Sequence, residues 1–254
     1  MRPAVRLAWF AGSLAVAFGF IALWQVIANL QLISPVFLPG PDRAWAALVG
    51  GFRDGDLLGQ TLSTIERMVY GWLLASLLGI VLGVLIGSSQ TARAYLGPSL
   101  EFVRPLPASA VAPVAISFLG LSNTMVIAVI AFGSLWPMLL ATIHGFAAVE
   151  PRLIEVTRAL RMSRTAVIWK VALPSALPDI LAGMRFGLTV SLILAVVGEM
   201  LASQQGLGQM VLFAARAFNS ADIFAGVMLL GAIGFVSNAL LGVIEQRMLR
   251  WRRR

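Results

Sequence analysis

The chain contains 254 residues, of which 59% are hydrophobic and 12% are charged, and its formal net charge is +8 at pH 7. Soluble domains carry charges on about a quarter of their residues, so this composition excludes an ordinary soluble domain and indicates a membrane protein. There is no cysteine and a single histidine, which excludes disulfides, thiol chemistry and His-rich metal clusters. The basic residues form no patch interleaved with aromatic residues, so no nucleic acid partner is expected.

Six apolar stretches are long enough to cross a bilayer, which takes about 20 mostly apolar residues. They cover residues 8–29, 68–88, 99–119, 124–146, 178–202 and 223–245. The first is longer than the apolar part of a signal peptide and no cleavage site stands out after it, so we expect a retained helix. A short interfacial helix is expected at about 43–52, between the first two stretches.

The second stretch is predicted to pack closely against another helix, and the third is predicted to be kinked. Glycines at multiples of four positions in the second stretch indicate close packing against another helix: Gly71, Gly79, Gly83 and Gly87. The third contains Pro105, Pro107 and Pro113, so we expect it to be kinked. Glu101 and Arg104 stand three residues apart at its start, and we expect them to form a local ion pair at its cytoplasmic end.

The distribution of basic residues predicts the orientation of the chain. With six spans and a cytoplasmic N-terminus, fifteen of the 19 Lys and Arg residues fall on the cytoplasmic side, as the positive-inside rule requires. Both termini and the loop of residues 148–174 are then cytoplasmic. The expected location is the bacterial inner membrane, crossed several times.

The loop of residues 148–174 contains a predicted amphipathic helix. Leu153, Val156, Thr157 and Leu160 recur at the spacing of one helix face, and the arginines of the segment fall outside that stripe. Pro174 and Pro178 are expected to break the helix, followed by a turn that re-enters the membrane. Such a helix can pack on its own bundle, lie on lipid headgroups or dock in a groove of a soluble partner.

This loop resembles the coupling loop of the permeases of ATP-driven (ABC) importers, which reads Glu-Ala-Ala, three residues, Gly, nine residues and Ile-x-Leu-Pro. Glu155 matches the acidic position, and Val156 and Thr157 stand at the two alanines. Arg161 stands at the glycine, at the bend between two short coupling helices. The end of the pattern is matched by Val171-Ala172-Leu173-Pro174.

Further segments resemble the nitrate, sulfonate and taurine branch of these permeases. They are Arg104-Pro105-Leu106-Pro107 with Ala110 and Pro113, Leu177-Pro178-Asp179-Ile180 with Gly183-Met184-Arg185, Glu199-Met200 with Gly206-Leu207-Gly208, and Trp251 in the basic tail. The resemblance therefore extends over nearly the whole chain.

The resemblance implies an all-α integral membrane protein with about six transmembrane helices, folded as a type I (MetI-like) importer permease. It implies a single transmembrane domain over residues 1–254, a permease core over 60–245 and a coupling loop over 148–174. The residues expected to contact the ATPase are Glu155, Val156, Thr157, Leu160, Arg161, Val171, Leu173 and Pro174.

The resemblance also implies the partners: two ATPase subunits, a second copy of the permease, an extracytoplasmic substrate-binding protein and membrane lipid. The chain itself would bind no cofactor or metal, and ATP and Mg would sit on the ATPase. Transport would proceed by alternating access. The expected cargo is a small oxyanion or sulfonate, such as nitrate, taurine or an alkanesulfonate; a thiamine-precursor pyrimidine or an aromatic acid is the alternative.

Glu199 is a carboxylate deep in the fifth stretch, where a charge is costly and usually faces the interior of the bundle. It is either a pathway or gate residue, or one half of a buried pair that fixes the helix to a neighbour. Arg185 cannot be its partner within one helix, because fourteen residues correspond to ~21 Å. With Glu199, we take Pro107, Ser109 and Pro113 as the candidate pathway residues.

Two other classes compete with the permease: an intramembrane enzyme, and a channel or secondary transporter. The sequence has no phosphate-binding loop, nucleophile elbow or zinc motif, so we expect a non-catalytic subunit with ATP hydrolysis on another chain. A secondary transporter would be expected to show inverted repeats and more intramembrane acids. The permease alone explains the amphipathic loop that ends in Leu-Pro.

Overall fold

The computed structural model describes residues 3–250, and of residues 3–8 and 10 it describes the backbone alone. Within that range the chain is helical and has no strand. The helices are α1 (Pro3–Asn29), α2 (Pro41–Arg53), α3 (Leu57–Gly87), α4 (Gln90–Val103), α5 (Ala108–Leu119), α6 (Asn123–Ala147), α7 (Pro151–Ala159), α8 (Arg164–Val167), α9 (Leu173–Ala202), α10 (Leu207–Arg216) and α11 (Ser220–Met248), with a π-helical turn at Ile168–Ala172. Arg2 and the tail with Trp251, on which part of the sequence argument rests, lie outside the described residues.

The expected all-α membrane fold is confirmed. Five helical runs are long and apolar enough to cross a membrane, namely Ala11–Asn29, Leu57–Gly87, Asn123–Ala147, Arg164–Ala202 and Ser220–Met248. A sixth span is present if α4 and α5 count as one, although they are bent by 89°. The short helix expected between the first two spans is α2.

The chain divides into two compact units. The first comprises the chain up to Thr61 together with Met210–Leu229. In it the Trp24 indole N–H donates to the Pro39 carbonyl at 2.9 Å, and the Trp24 ring lies 5.2 Å from the ring of Phe224. These contacts hold the end of α1 to the segment before α2 and to the start of α11.

The second unit comprises Leu62–Gln209 together with the chain from Leu230 onward, and α6 is at its centre. The glycines of α3 pack against α6 as predicted: a Cβ added to Gly71 would lie 2.3 Å from Ile130 Cγ2, and one added to Gly83 would lie 2.5 Å from Thr142 Cβ. On its other side α6 packs against α9, where a Cβ on Gly145 would lie 2.8 Å from Ala176 Cβ. Small residues thus let three helix backbones approach closely.

The kink predicted in the third stretch is confirmed and is a full break. α4 ends at Val103 and α5 begins at Ala108, because Pro105 and Pro107 each remove a backbone donor that a continuing helix would need. The predicted Glu101–Arg104 ion pair is wrong, since within residues 3–250 no carboxylate lies within ion-pair distance of Arg104.

The break and turn predicted at Pro174 and Pro178 are also wrong. α8, the π-helical turn and α9 form one helical run, Arg164–Ala202, of 39 residues. Pro174 follows the π-helical turn Ile168–Ala172 within one residue, and a local change of winding of this kind accommodates the backbone donor that a proline lacks. Pro178 is accommodated inside the helix.

Candidate functional site

The first candidate site is a polar cluster around Glu199. The Glu199 side chain is completely buried, and both carboxylate oxygens are bound. Oε1 accepts a hydrogen bond from the Arg67 guanidinium at 2.9 Å, and Oε2 accepts from the Thr64 hydroxyl at 3.0 Å and from the Gly208 backbone N–H at 2.9 Å. Arg67 and Thr64 belong to α3, so the cluster joins α3, α9 and the segment before α10.

The segment before α10 fits the cluster through its backbone. The Leu207 N–H donates to the Thr64 hydroxyl at 2.9 Å, and the Gln205 carbonyl accepts from Arg67 at 2.6 Å. A Cβ on Gly206 would lie 2.3 Å from the Glu199 carboxyl carbon, and one on Gly208 would lie 2.3 Å from the Val196 carbonyl oxygen. The backbone at Gly206 and Gly208 approaches α9 so closely that no side chain larger than glycine fits at either position.

The sequence did not identify Arg67 and Thr64 as the partners of Glu199. Arg67 also donates to the side chain of Asn123, so this buried cation has acceptors from three parts of the chain. One signal was available: Thr64 and Arg67 are three residues apart in α3 and therefore share a helix face. Because both charges are buried and paired, removing one of them would leave the other uncompensated.

The second candidate site is the predicted coupling loop. α7 leaves its apolar stripe uncovered: Leu153, Val156 and Leu160 are exposed by 42%, 54% and 67%. Thr157 turns inward and is buried, and its hydroxyl donates to the Ile154 carbonyl at 2.8 Å. Glu155 is exposed on another side of α7.

Arg161 adopts the backbone conformation that glycine adopts most easily. Its φ is +50°, its N–H donates to the Arg158 carbonyl at 3.0 Å, and the Met162 N–H donates to the Thr157 carbonyl at 3.0 Å. These bonds form the helix end in which a left-handed residue, most often glycine, follows the last helical turn. Arg161 thus keeps the sharp end of α7, at a strain of about 1–2 kcal/mol.

The end of the loop is built into the membrane bundle. Val171 lies in the π-helical turn, while Leu173 and Pro174 begin α9. Ala172 and Ala176 pack in a buried cluster with Phe146 of α6, and Leu173 lies against that cluster. The end of the loop is therefore in packing contact with both α6 and α9.

The remaining predicted pathway residues are not brought together with Glu199. Pro107, Ser109 and Pro113 are exposed on and beside α5, whereas the hydrogen-bond partners of Glu199 come from α3 and the segment before α10. A cavity of about 540 Å³ lies beside this part of the chain, between α5, α6 and α9. Its lining includes Arg104, Trp136, Leu140, Phe186, Val190 and Leu194.

A helical bundle with five or six spanning helices, an exposed amphipathic helix outside them and a cavity between helices defines a multi-pass membrane protein of the transporter class. Residues 75–250 match the profile of the family described as binding-protein-dependent transport system inner membrane component. The chain belongs to this family, the membrane permease components of ABC importers.

Curated relatives agree with the family. The chain is 34% identical to SsuC of Bacillus subtilis, provisionally named an aliphatic sulfonates transport permease, over 97% of this chain and 89% of the relative. It is 33% identical to the taurine transport system permease protein TauC of Escherichia coli, over 94% of this chain and 88% of the relative. It is 29% identical to the bicarbonate transport system permease protein CmpB of Synechococcus elongatus, over 93% and 88%.

Among solved structures, the chain resembles an inward-facing MetNI methionine ABC transporter. The TM-score is 0.68 at 17% sequence identity, over 76% of this chain and 95% of that one. At this identity the likeness concerns the fold, and it confirms the expected MetI-like architecture.

Proposed function

We propose that the chain forms, with a second copy of itself, the translocation pathway of an importer for a small organic sulfonate or a related oxyanion. α7 of each copy docks in a groove of an ATPase subunit, which holds ATP and Mg, and a substrate-binding protein delivers the cargo from the other side. The permease core corresponds to residues 60–245 and the coupling loop to 148–174. The cargo class follows the names of the sulfonate, taurine and bicarbonate relatives.

The observation that carries this proposal is the uncovered stripe of Leu153, Val156 and Leu160 on α7. Exposing apolar side chains to water is unfavourable. Burying them in a groove of a partner would contribute a favourable free energy of about 25 cal/mol for each Å² of apolar surface buried. The stripe is also connected to the bundle, because the loop runs through the π-helical turn into the helix that packs along α6. ATP-driven movement of a docked α7 would therefore move α9.

The roles within the bundle follow from burial. Pro107, just before α5, and Ser109 and Pro113, within α5, are exposed, and we assign them to the wall of the pathway. Glu199 is completely buried and both its carboxylate oxygens are hydrogen-bonded, so we assign it to holding α3, α9 and the segment before α10 together.

The docking test is the double variant Glu155→Arg with Leu160→Asp. A carboxylate buried without a partner costs several kcal/mol, on the order of a thousandfold in affinity, so the ATPase should no longer co-purify with the membrane subunit. The matched control is Glu155→Gln with Leu160→Met, which keeps the apolar stripe and should retain the ATPase.

Monodispersity of the membrane subunit in size-exclusion chromatography shows that the variant is folded. A double variant that keeps a full complement of ATPase and normal transport would mean that α7 is not the docking element.

Orientation is tested separately. Cysteines introduced at Ser163 and at Asp54 should react with an impermeant thiol reagent from opposite sides of the membrane, Ser163 from the cytoplasm. Labelling of both from one side would contradict the arrangement with cytoplasmic termini.

A further inference from the structure

A groove lies between α9 and α11 in the second unit. Three cavities of about 400, 360 and 330 Å³ form it, and Arg185 lines all three. Along α11 the linings extend from Gly234 to Gln246, which is twelve residues, or about 18 Å. One leaflet of a bilayer contributes about 15 Å of hydrocarbon, so the groove is about as long as one leaflet is thick.

Contacts with α11 fix the level of Arg185 along the spanning helices. Its Nη1 lies 3.6 Å from Glu245 Oε2, and its Nη2 would lie 3.7 Å from a Cβ on Gly242. These residues stand three and six positions before Met248, the last residue of α11, so the guanidinium lies about 5–9 Å from that end. α11 has 29 residues and is about 43 Å long, about 13 Å more than the ~30 Å hydrocarbon core. The guanidinium is therefore level with the lipid headgroups.

Arg185 keeps a donor that the chain does not use. Its Nε donates to the side chain of Asn238 and its Nη1 faces Glu245, but its Nη2 has no acceptor among residues 3–250. The Arg185 side chain is 48% exposed. A guanidinium held along one edge and open along the other is preorganised for a phosphate, whose oxygens match its fork of N–H donors.

The charge at this end of the groove favours an anion. Arg247 and Arg250 follow Glu245 within five residues and are exposed, and the described part of the chain places no carboxylate within ion-pair distance of either. With Arg185, three arginines and one glutamate leave a net charge of +2. The sequence continues with Trp251 and three further arginines. Basic pockets between spanning helices, and basic segments next to a span, bind anionic lipid headgroups.

Away from Arg185 the groove changes character. Towards the middle of α11 its walls are mainly apolar or small side chains, which include Leu188, Leu192, Gly234, Phe235, Ala239 and Val243. The groove is thus charged at the end of the span and apolar in the interior. A phospholipid that lies along the helices has the same order of polarity, with its phosphate at the surface and its acyl chains inside.

We propose that the groove between α9 and α11 binds an anionic phospholipid from the leaflet on the side where α11 ends. The phosphate accepts hydrogen bonds from Arg185, the neighbouring arginines compensate its charge, and one acyl chain lies along the groove. The bound lipid bridges α11 to α9, the helix into which the loop of residues 148–174 runs. The site is separate from the cavity between α5, α6 and α9, and the inference does not depend on the cargo.

The test is photo-cross-linking of the full chain in phosphatidylcholine nanodiscs. The probe is a trace of phosphatidylglycerol that carries a diazirine on one acyl chain. Peptides of α9 and α11 that line the groove should be labelled, and unlabelled phosphatidylglycerol should displace that label. α1 is the internal reference, because its described side chains are mostly exposed and line none of the three cavities. Its labelling should not be displaced.

Two kinds of variant test the site. Gly242→Leu fills the groove beside Arg185 and keeps every charge; its Cβ would meet only Nη2 at an ordinary contact distance, and the displaceable label should be lost. Gly231→Leu is the matched control on the same helix, with nothing within 4 Å of its added Cβ, and should keep the label. Arg185→Gln should raise the half-displacing amount of phosphatidylglycerol at least about tenfold, because it removes a charged hydrogen bond. Arg185→Lys should raise it less.

Three results would overturn the proposal. Equal displacement by phosphatidylethanolamine, which has the phosphate but no net charge, would mean that the groove does not select an anion. No label on α9 or α11 of the unaltered chain would mean that a second copy or another partner covers the groove. Persistence of the displaceable label in Gly242→Leu would place the lipid elsewhere. Size-exclusion chromatography checks folding, and if Arg185→Gln fails to fold, Gly242→Leu and the comparison of lipids decide.

Discussion

Two arginines of the second unit, Arg67 and Arg104, have opposite surroundings. Arg67 is buried with Glu199, the Gln205 carbonyl and Asn123 as acceptors. Arg104 lines a cavity, and the part of the chain that is described places no carboxylate within ion-pair distance of it. The comparison teaches that a buried charge such as Arg67 is part of the structure because its acceptors are built into the chain, whereas an exposed charge such as Arg104 has no such structural role within the described residues.

The largest effect is expected for Arg67→Ala. Removing it leaves Glu199 charged and buried, which costs about 3–5 kcal/mol, so the melting temperature of the detergent-solubilised chain should fall steeply. Glu199→Ala should cost a similar amount, and the double variant should cost less than the sum of the two. Strict additivity in this double-mutant cycle would mean that the pair does not hold the helices together.

Arg104→Ala is the direct comparison. Because Arg104 has no ion pair to lose, its removal should change stability by less than about 0.5 kcal/mol or raise it slightly. The same melting experiment measures it. A loss of stability as large as that of Arg67→Ala would contradict the conclusion that only Arg67 has a structural role.

Gly206→Ala tests how tightly the Glu199 cluster is closed. The new Cβ would lie 2.3 Å from the Glu199 carboxyl carbon, and the forced shift should cost about 1–3 kcal/mol. Gly231→Ala is the matched control, because nothing lies within 4 Å of its added Cβ, and it should stabilise α11 by about 0.5–1 kcal/mol. Equal melting temperatures for the two variants would show that the cluster is loosely packed.

A small stabilising effect is expected at Arg161, where the free-energy cost lies in the strained backbone. Arg161→Gly should stabilise the chain by about 0.4–1 kcal/mol, because glycine adopts a φ of +50° without strain. Arg161→Ala keeps the Cβ and removes the charge, so it should not. If Arg161→Ala stabilises the chain as much as Arg161→Gly, the charge of Arg161, and not its backbone strain, is what destabilises the native chain.

The sequence predicted the features that depend on neighbouring residues. The long apolar stretches, the glycine stripe of α3 and the break near Pro105 and Pro107 are local patterns, and the structure confirms them. The Arg67–Glu199 pair could not be predicted, because its members are 132 residues apart and only the packing of α3 against the rest of the unit brings them together.

The errors have a physical reason as well. A proline that ends a helix and a proline accommodated beside a π-helical turn produce the same sequence pattern, so the sequence predicts a turn where the helical run continues through Pro174. The spacing of Glu101 and Arg104 predicts a local ion pair, but a shared helix face only permits such a contact, and both side chains are exposed.

The helical run Arg164–Ala202 has a mechanical consequence. Its 39 residues give a rod of about 58 Å at 1.5 Å per residue, nearly twice the ~30 Å hydrocarbon thickness of a bilayer. A tilt of about 5° around its midpoint would displace each end of such a rod by roughly 2.5 Å. The π-helical turn Ile168–Ala172 lies near the N-terminal end of this run, where the loop attaches. The helix is therefore irregular next to the loop and α-helical from Leu173 to Ala202.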